Sequence, residues 1–376
     1  MKKIVVVCSY ARSLVDFRGT LLTGFVEKGF EVFALAPVDS QFARIQDLLA
    51  AKRIQLLALD LDRNGLNPWV DIKAYYQIRK FFKDLKPSFV MAYTAKPVIY
   101  CGLAMRFIEG CSYFPLITGL GYAFTEGHGS KRRLVRWVSS ILYGKALASA
   151  KTVIFQNPDD KDFFLSLGIL APKASVGVVN GSGVDLSVYR PLKIPNKPVF
   201  LMVSRILVDK GVREYVTAAQ IVHQQYPEVV FLLAGGMDPN PAGIKWSEIK
   251  KWIASGSIQY LGEVRPISDA LKKCRYFVLP SYREGTPRSV LEALASGRPV
   301  ITTDVPGCRQ TVISGVNGYL VKPRDSRDLA NSMITMIENS NEVLRAQALA
   351  SLQIARERFD VEKVNAQIFR IMGLED

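Results

Sequence analysis

Short apolar runs alternate with longer amphipathic stretches along the chain. In the first half, runs rich in Val, Ile and Leu occupy residues 4–8, 31–36, 54–59, 89–92, 114–118, 152–155 and 175–179. In the second half, similar runs occupy residues 199–203, 229–234, 257–261, 276–279, 299–303 and 319–321. Strands that are apolar on both faces and alternate with helices are typical of parallel sheets covered on two sides. The pattern therefore predicts an α/β protein built from doubly wound, Rossmann-like sheets.

A proline-rich segment separates the two series of runs. Residues 189–198 read YRPLKIPNKP and contain three prolines, a composition that favours a linker. The chain has 376 residues, which is enough for two domains. We predict an N-terminal domain over residues 1–190 and a C-terminal domain over residues 191–357, with a cleft between them. Ligands of doubly wound sheets bind at the carboxyl ends of the strands.

The composition excludes several classes of protein. Apolar residues make up 49% and charged residues 22%, a globular balance that excludes a disordered or collagen-like chain. The five cysteines form no CxxC pair, so we interpret them as reduced thiols and not as zinc ligands. No run of 18 apolar residues occurs, so we expect no transmembrane segment, and the run at residues 4–8 fits a first strand better than a signal peptide.

The chain is strongly basic. Lys and Arg number 49 against 34 Asp and Glu, which gives a net charge of +15. Residues 1–190 hold 25 basic and 15 acidic residues, so the first half carries two thirds of this surplus. A surplus of this kind favours anionic partners, among them nucleic acid, phosphorylated metabolites and acidic membrane surfaces. The charge alone does not choose among these partners.

Two segments of the second half carry candidate chemistry. Residues 201–212 predict a strand, a polar loop with Arg205 and Lys210, and a helix that begins near Val212. The two cations lie where an anionic ligand would bind, although they also suit a solvated loop. Residues 279–297 predict a strand end, a loop, and a helix that ends at Gly297.

The second of these segments predicts an anion site with carboxylates beside it. We expect Thr286 to cap the helix and Pro287 to take its first position. The free N–H groups of a helix start bind anions, and Gly285 lets a phosphate approach the backbone. Glu284 precedes the helix and Glu292 lies inside it. Because carboxylates accept hydrogen bonds from hydroxyls, a sugar nucleotide fits both the acids and the phosphate site.

Arg205 and Lys210, followed by Glu284 and Glu292 with seven residues between the two acids, resemble the motif of retaining glycosyltransferases of family 4 with the GT-B fold. The resemblance implies that Arg205 and Lys210 neutralise the donor diphosphate, and that with Glu284 they form the catalytic set. It also implies that a final helix, residues 358–376, packs back on the first domain. The remaining donor-binding positions that it implies are Gly262, Glu263 and Val264 at the uracil of UDP, Gly285, Thr286, Pro287 and Arg288 at sugar and phosphate, and Glu292 at the ribose.

The resemblance implies no cofactor and no metal, with a UDP-sugar as co-substrate. The sequence Asp60-Leu61-Asp62 spells the DxD motif of metal-dependent glycosyltransferases. It follows a predicted strand of the first half, where alternation puts two carboxylates on one face without any metal. We therefore do not assign it as a metal site.

The first half departs from many family 4 members, which have a glycine pair after the first strand and a histidine after the fifth. Its sequences Phe17-Arg18, Leu66-Asn67-Pro68, Thr94-Ala95-Lys96-Pro97 and Gly119-Leu120-Gly121 are similar to bacterial N-acetylgalactosaminyltransferases that extend undecaprenyl-diphosphate-linked sugars, of the Campylobacter protein-glycosylation type. This resemblance implies an acceptor site at Phe17, Arg18, Gly19, Lys96, Gly119 and Gly121.

Residues 130–145 predict a basic amphipathic helix capped by Ser130. Leu134, Val138, Ile141 and Leu142 share one face, and the cations and the Trp beside them are Lys131, Arg132, Arg133, Arg136 and Trp137. Basic residues beside Trp and aliphatic side chains suit an anionic bilayer surface. The alternative is a helix whose apolar face joins the core.

The sequence therefore predicts a retaining glycosyltransferase that moves N-acetylgalactosamine or another N-acetylhexosamine from UDP to a polyprenyl-diphosphate-linked saccharide. We expect it to be peripheral, on the cytoplasmic face of the bacterial inner membrane, and not to bind nucleic acid. One alternative is a sugar-nucleotide epimerase of the same fold. A second alternative, suggested by the charge of +15, is a non-catalytic nucleic-acid-binding protein.

Overall fold

A computed structural model of the chain describes residues 1–62, 65, 67–120, 124, 130–238 and 242–375, with the backbone alone for residues 130–132. The structure divides into two units, Met1–Ser182 with Glu362–Asp376, and Gly183–Val361. The division falls earlier than the predicted boundary after residue 190. The reason is that Val184 donates to the Phe359 carbonyl at 2.7 Å and accepts from the Val361 N–H at 3.1 Å, and these partners belong to the second unit.

The predicted linker is part of the second unit. Arg298, which is completely buried, donates to the carbonyl oxygens of Leu192 at 3.2 Å and Lys193 at 2.9 Å. The Leu192 N–H donates in turn to the Ser296 carbonyl at 3.2 Å. These bonds fix the proline-rich segment to the second unit.

The first unit contains one parallel sheet. Its strands are β1 (Lys3–Val7), β2 (Glu31–Ala36), β3 (Ile54–Ala58), β4 (Phe89–Tyr93), β5 (Ser112–Ile117), β6 (Val153–Phe155) and β7 (Val176–Val178). Their order is β3-β2-β1-β4-β5-β6-β7, and Val5 of β1 aligns with Phe33 of β2 and with Val90 of β4. All its strands pair in parallel, as continuous apolar runs predict.

Helices cover both faces of this sheet. They are α1 (Ser13–Asp16), α2 (Gly19–Glu27), α3 (Phe42–Ala50), α4 (Pro68–Leu85), α5 (Ala95–Met105), α6 (Ser130–Leu147) and α7 (Pro158–Ser166). Side chains of α1, α2 and α3 join one buried cluster, and those of α4, α5, α6 and α7 join the cluster on the opposite face. The start of α4 is fixed by Asn67, whose side chain accepts from the Trp69 N–H at 3.0 Å, and by Pro68 at the first position.

The second unit repeats the design. Its strands are β8 (Val199–Val203), β9 (Val230–Ala234), β10 (Gln259–Tyr260), β11 (Tyr276–Leu279), β12 (Val300–Thr303) and β13 (Gly318–Val321). Their order is β10-β9-β8-β11-β12-β13, again in parallel. Its helices are α8 (Val212–His223), α9 (Trp246–Ala254), α10 (Ser268–Leu271), α11 (Arg288–Ala295), α12 (Ser326–Glu338) and α13 (Asn341–Arg358). Each predicted apolar run thus forms a strand, and the prediction of two doubly wound sheets is confirmed.

The final helix, α14 (Val361–Met372), packs on the first unit. The ring of Phe369 lies 5.4 Å from that of Phe25, and the Asn365 amide donates to the Thr20 hydroxyl at 3.0 Å. Val364, Ile368 and Met372 are buried in the same cluster as α2. Helix α14 therefore completes the hydrophobic core that α1, α2 and α3 form on one face of the first sheet.

Each sheet has a point where the strand order reverses. In the first sheet this point lies between β1 and β4, and in the second it lies between β8 and β11. Loops that leave two such strands diverge and leave a crevice at the carboxyl ends, where ligands bind. Arg205 and Lys210 follow β8, and Glu284 follows β11. The three residues of the predicted catalytic set thus flank the crevice of the second sheet.

Candidate active site

The loops after β8 and β11 are joined by backbone contacts. The Tyr282 N–H donates to the Asp209 carbonyl at 2.9 Å. Gly211 has φ +73°, and a Cβ there would lie 2.1 Å from the Pro280 carbonyl oxygen, so the close approach requires glycine. This approach brings Lys210, in the 3₁₀ turn Val208–Lys210, beside the segment that follows β11.

Lys210 and Glu284 form a tight ion pair in this crevice. The Lys210 ammonium lies 2.5 Å from Oε1 of Glu284, and the two side chains are 14% and 15% exposed. The Ser281 hydroxyl donates to the same Oε1 at 2.7 Å. Two donors therefore fix one oxygen of a mostly buried carboxylate. Sequence analysis predicted both ionic partners but not Ser281, whose position directly after β11 was the available signal.

The loop after β12 holds the backbone of Glu284. The Glu284 N–H donates to the Pro306 carbonyl at 3.1 Å. Gly307 has φ +81°, and a Cβ there would lie 2.3 Å from the Glu284 carbonyl oxygen. Cys308 is completely buried. Burial, and to a smaller extent the negative charge of Glu284, raises the pKa of its thiol to about 12. The thiol is thus a neutral packing group, and none of the five cysteines, all of which the structure describes, forms a disulfide bond.

Helix α11 begins one residue later than predicted. The Thr286 hydroxyl donates to the Gly285 carbonyl at 2.7 Å, and Pro287 is the extended residue before Arg288, with no side-chain cap. The prediction that Thr286 caps the helix is wrong, because its hydroxyl bonds within the loop. Inside the helix, Nε of Arg288 lies 3.0 Å from Oε1 of the buried Glu292. Gly297 follows the helix with φ +71°, as predicted.

Arg205 has a partner of its own. Its guanidinium donates to Oδ2 of Asp238 at 2.8 Å, and its side chain is 54% exposed. Lys210 and Arg205 are therefore held by different carboxylates. Since Arg205 is the more exposed cation, it is the one that solvent or an anionic ligand reaches more readily.

A glycine pair after β9 joins three loops. The Gly235 N–H donates to the Gly262 carbonyl at 2.8 Å, and the Ile206 N–H donates to the Gly236 carbonyl at 3.1 Å. A Cβ on Gly235 would lie 1.7 Å from the Ser204 carbonyl oxygen. Sequence analysis singled out neither these glycines nor Asp238, although a glycine pair directly after a buried strand was a visible signal.

The predicted uracil segment lies at the same edge of the sheet. Gly262, with φ +69°, follows β10 and is bonded to the glycine pair. The Glu263 carboxylate accepts from the Arg265 guanidinium at 2.7 Å, and Val264 packs against the core. The structure thus brings the segments that contain all predicted donor residues to the carboxyl edge of one sheet.

The predicted acceptor residues lie in different parts of the first unit. Arg18 is buried, with its guanidinium 5.5 Å from the centre of the Tyr93 ring. Phe17 is exposed, and Gly19 begins α2. Gly119 follows β5, whereas Gly121 lies outside the described residues. Burial of Tyr93 raises the pKa of its phenol well above the usual range, so this ring is neutral.

Lys96 has a structural position. Its ammonium donates to the carbonyl oxygens of Asp62 at 2.8 Å and Gly65 at 2.6 Å, and to the Asp71 carboxylate at 2.7 Å. These three acceptors use all three N–H groups of an ammonium. In this arrangement Lys96 connects α5 to α4 and to the loop before it. Its contact with an acceptor phosphate stays a prediction, and such a phosphate would have to replace one of these oxygens.

The DxD sequence also has local partners. Asp60 forms an ion pair with Lys73 at 2.8 Å, and Oδ1 of Asp62 accepts from the Gly65 N–H at 2.9 Å. Leu61 between them is buried. Within the part of the chain that the structure describes, no group of three or more His, Cys, Asp or Glu side chains is arranged to hold a metal ion.

Helix α6 presents its apolar residues to solvent. Leu134, Trp137, Val138 and Ile141 are exposed, and Leu142 alone of the predicted face packs against the core. Arg133 and Arg136 are exposed beside them, while the side chains of Lys131 and Arg132 lie outside the described residues. Ser130 is the first residue of the helix rather than its cap. The alternative that this apolar face joins the core is therefore wrong for most of its residues.

Among the helices whose residues the structure describes, none combines the length and the apolar character needed to cross a membrane.

Known protein families and relatives match most of the chain. The family described as "Glycosyl transferase 4-like" matches residues 11–157, and the family described as "Glycosyl transferases group 1" matches residues 197–339. A Campylobacter jejuni protein, N,N'-diacetylbacillosaminyl-diphospho-undecaprenol alpha-1,3-N-acetylgalactosaminyltransferase, is 30% identical over 341 residues, which cover 87% of this chain and 87% of that protein.

Solved structures share the fold of this chain. Sucrose-phosphate synthase from Thermosynechococcus elongatus has a TM-score of 0.82 and 17% identity, over 99% of this chain and 98% of its own. Anabaena HepE in complex with UDP-glucose has a TM-score of 0.76 and 22% identity, over 99% of this chain and 100% of its own. At such identities the likeness concerns the fold alone.

Proposed function

This chain belongs to the group 1 and 4-like glycosyltransferases with the GT-B fold, and on that premise we propose that it transfers an N-acetylhexosamine from UDP to a saccharide carried on polyprenyl diphosphate. N-acetylgalactosamine is the preferred sugar, since the Campylobacter relative is named for transferring it to an undecaprenol-diphosphate-linked sugar. That relative forms an alpha linkage. An alpha product from an alpha-linked UDP-sugar requires retention of configuration.

The observation that carries the donor site is the Lys210–Glu284 pair beside the strand-order reversal of the second sheet. In the free enzyme the two charges neutralise each other, so neither is buried alone. A UDP-sugar offers Lys210 a second anion and offers Glu284 hydroxyl donors, so the same pair suits both parts of the donor. Arg205 reaches the diphosphate from the neighbouring loop. Glu292 accepts from the ribose, Gly262 to Val264 meet the uracil, and Gly285 to Arg288 line the phosphate and sugar.

The transfer proceeds on one face of the sugar. The bond between the anomeric carbon and the UDP oxygen breaks, and the acceptor hydroxyl oxygen bonds to that carbon from the same side. The proton of the hydroxyl passes to the departing phosphate. Arg205 and Lys210 stabilise the charge that develops on UDP, which is the largest electrostatic demand of such a reaction.

Two cations at the diphosphate make a metal ion unnecessary in this scheme. We therefore expect full activity after treatment with a chelator. Loss of activity that Mn²⁺ restores would contradict the metal-free proposal and would return attention to Asp60 and Asp62.

The acceptor places the enzyme at a membrane. Its polyprenyl chain lies in the bilayer, and the exposed basic and apolar face of α6 suits an anionic surface. We propose peripheral binding on the cytoplasmic side of the bacterial inner membrane. Phe17, Arg18, Gly19, Lys96, Gly119 and Gly121 remain the predicted acceptor residues.

A panel of UDP-sugars, each offered with polyprenyl-diphosphate-linked N-acetylhexosamines, tests the function. We expect mass spectrometry to detect transfer of one N-acetylhexosamine and NMR to detect an alpha linkage. Glu284→Gln serves as the inactive control. Failure of every UDP-sugar would contradict the donor class, and a UDP-sugar that is epimerised without acceptor would favour the epimerase alternative.

A further inference from the structure

Helix α4 carries an exposed apolar stripe near its N-terminus that sequence analysis did not assign. Trp69 is 76% exposed, and Ile72 and Tyr76 are also exposed. Their spacing of three and four residues puts all three on one face of the helix. The opposite face of α4 is buried in the core through Ala74, Ile78 and Phe82. This stripe therefore points away from the sheet.

Helix α6 has a stripe of the same kind. Trp137 is 63% exposed, and Leu134, Val138 and Ile141 share its face. The buried sides of α4 and α6 join one core on the same side of the sheet, and α5 packs between the two helices. Helices that connect parallel strands run back from the carboxyl edge, so both helices begin at that edge. The α4 stripe spans the first half of its helix and the α6 stripe spans the middle of its helix, so both lie on the outer surface of the same helical layer.

The cations of this layer complement an anionic lipid surface. Lys80 and Lys83 continue the exposed face of α4, and Lys145 continues that of α6. Residues 68–147 contain twelve Lys and Arg against four Asp and Glu, so they supply more than half of the net charge of +15. Asp84 lies beside Lys83, and Lys73 is paired with Asp60. The net charge of this region stays positive when Asp60 and Asp84 are included.

We propose that α4 is a second membrane-contact helix, so that the stripes of α4 and α6 rest together on an anionic bilayer. The inference builds on the proposed docking of α6 and extends it. Trp and Tyr side chains favour the headgroup region of a bilayer, where the ring is apolar and its N–H or O–H stays hydrated. Lysines farther along the same faces meet the headgroup phosphates. Two helices in place of one fix the orientation of the first unit on the surface.

Tryptophan fluorescence tests α4 directly. The chain has four tryptophans, and replacing Trp137, Trp246 and Trp252 with Phe leaves Trp69 as the reporter. With vesicles that contain about 40% phosphatidylglycerol, we expect a blue shift of Trp69 emission and quenching by brominated lipid. Vesicle flotation of the same sample shows whether the protein is bound. Bound protein with unshifted, unquenched Trp69 emission would overturn the inference and leave the docking of α6 intact.

A variant series separates the two helices. Trp69→Ser, Ile72→Ser and Tyr76→Ser together should lower the partition coefficient on these vesicles by at least about tenfold. The matched control, Ile313→Ser, Val316→Ser and Leu349→Ser, removes three exposed apolar side chains of the second unit and should leave partition unchanged. Circular dichroism checks that both variants fold. Unchanged partition of a folded α4 variant would contradict α4 contact, whereas failure of the unaltered chain to bind vesicles would contradict docking by either helix.

Discussion

Single residues of the candidate donor site have ionic partners before any ligand arrives. Lys210 is paired with Glu284, Arg205 with Asp238, and Arg288 with Glu292. In the Lys210–Glu284 pair both side chains are mostly buried. Removal of one member leaves the other charge without compensation, which costs more than the contact itself. The pair is therefore expected to behave as one unit in mutagenesis.

Lys210→Ala should reduce kcat/KM for the donor by more than about tenfold, since a lost charge-assisted bond is worth about 1.5–3 kcal/mol. Glu284→Gln should lower kcat while UDP, which lacks the sugar, still binds. The double variant should lose less than the sum of the two single losses, because both remove the same pair. Steady-state kinetics and calorimetric UDP binding provide these values.

The exposed pair Lys272–Asp269 is the matched control for this cycle. Lys272→Ala should leave both kcat/KM and UDP binding unchanged, since exposed pairs contribute little. Lys210→Ala protein that keeps more than about a tenth of the original activity would exclude Lys210 from the diphosphate site.

The sequence predicted the charged residues of the site, but it did not predict the residues that bind Arg205 and Lys96. Lys210 and Glu284 belong to a recognisable motif, and their loops meet because β8 and β11 are neighbours. Asp238 follows β9, and its contact with Arg205 depends on the position of β9 beside β8, which no local pattern specifies. Lys96 shows the same limit, because its three acceptors lie 25 or more positions away along the chain.

At the scale of elements, the apolar pattern predicted which strands and helices exist better than it predicted where they and the two units begin and end. Every predicted run became a strand. For the inner strands the reason is burial on both faces, which demands continuous apolar sequence, whereas the edge strands β3 and β7 are partly exposed. The proline-rich segment was predicted as a linker from its composition alone. Its bonds with the buried Arg298 depend on tertiary packing, so the true division of the chain was not visible. The Thr286 cap failed for a similar reason, since the loop geometry gave its hydroxyl another acceptor.

Gly307→Ala should displace the loop that leads into α11 and lower kcat by at least about tenfold, comparable to loss of one site contact. The added Cβ would meet the carbonyl oxygens of Glu284 and Gly285 at 2.3 and 2.7 Å. Gly315→Ala is the matched control, because Gly315 has the same φ of +81° but open space around its Cβ. Both variants have the same backbone strain, so only the first should lose transfer activity.

Circular dichroism and urea unfolding should show both glycine variants folded, with the larger loss of stability for Gly307→Ala, because it adds the Cβ contact to the backbone strain that the two variants share. Equal activity of the two variants would mean that the position of Glu284 does not depend on the approach of Gly307. Equal loss of activity would assign the effect to backbone strain and not to the loop.

Across the whole molecule, both units bury ionisable side chains in their neutral form. Burial raises the pKa of the Cys111 thiol in the first unit, and of Cys274 and Cys308 in the second, to about 12. Burial also raises the pKa of Tyr113 and Tyr215 well above the usual range. Ionisation of these groups is therefore linked to unfolding.

This linkage predicts loss of stability at alkaline pH. Well below pH 9 the thiols are protonated in both states, so they add no pH dependence there. Between pH 9 and about 12 the unfolded thiols, with an ordinary pKa of 9.0, release protons that the folded thiols retain. Stability then falls with rising pH, by up to about 1.4 kcal/mol per pH unit for each such thiol. The buried tyrosines add to this loss above their ordinary pKa of 10.0.

Urea midpoints measured at pH 7, 9, 10 and 11 under reducing conditions check this expectation, since they should stay nearly level to pH 9 and then decrease. Cys274→Ala should be less stable at pH 7, because a buried side chain is lost, but its midpoint should decrease less steeply above pH 9. A midpoint that is independent of pH up to 11 would mean that water reaches these thiols in the folded chain. In that case the packing around Cys274 in the second core, and around Cys308 in the loop after β12, would have to be looser than the structure indicates.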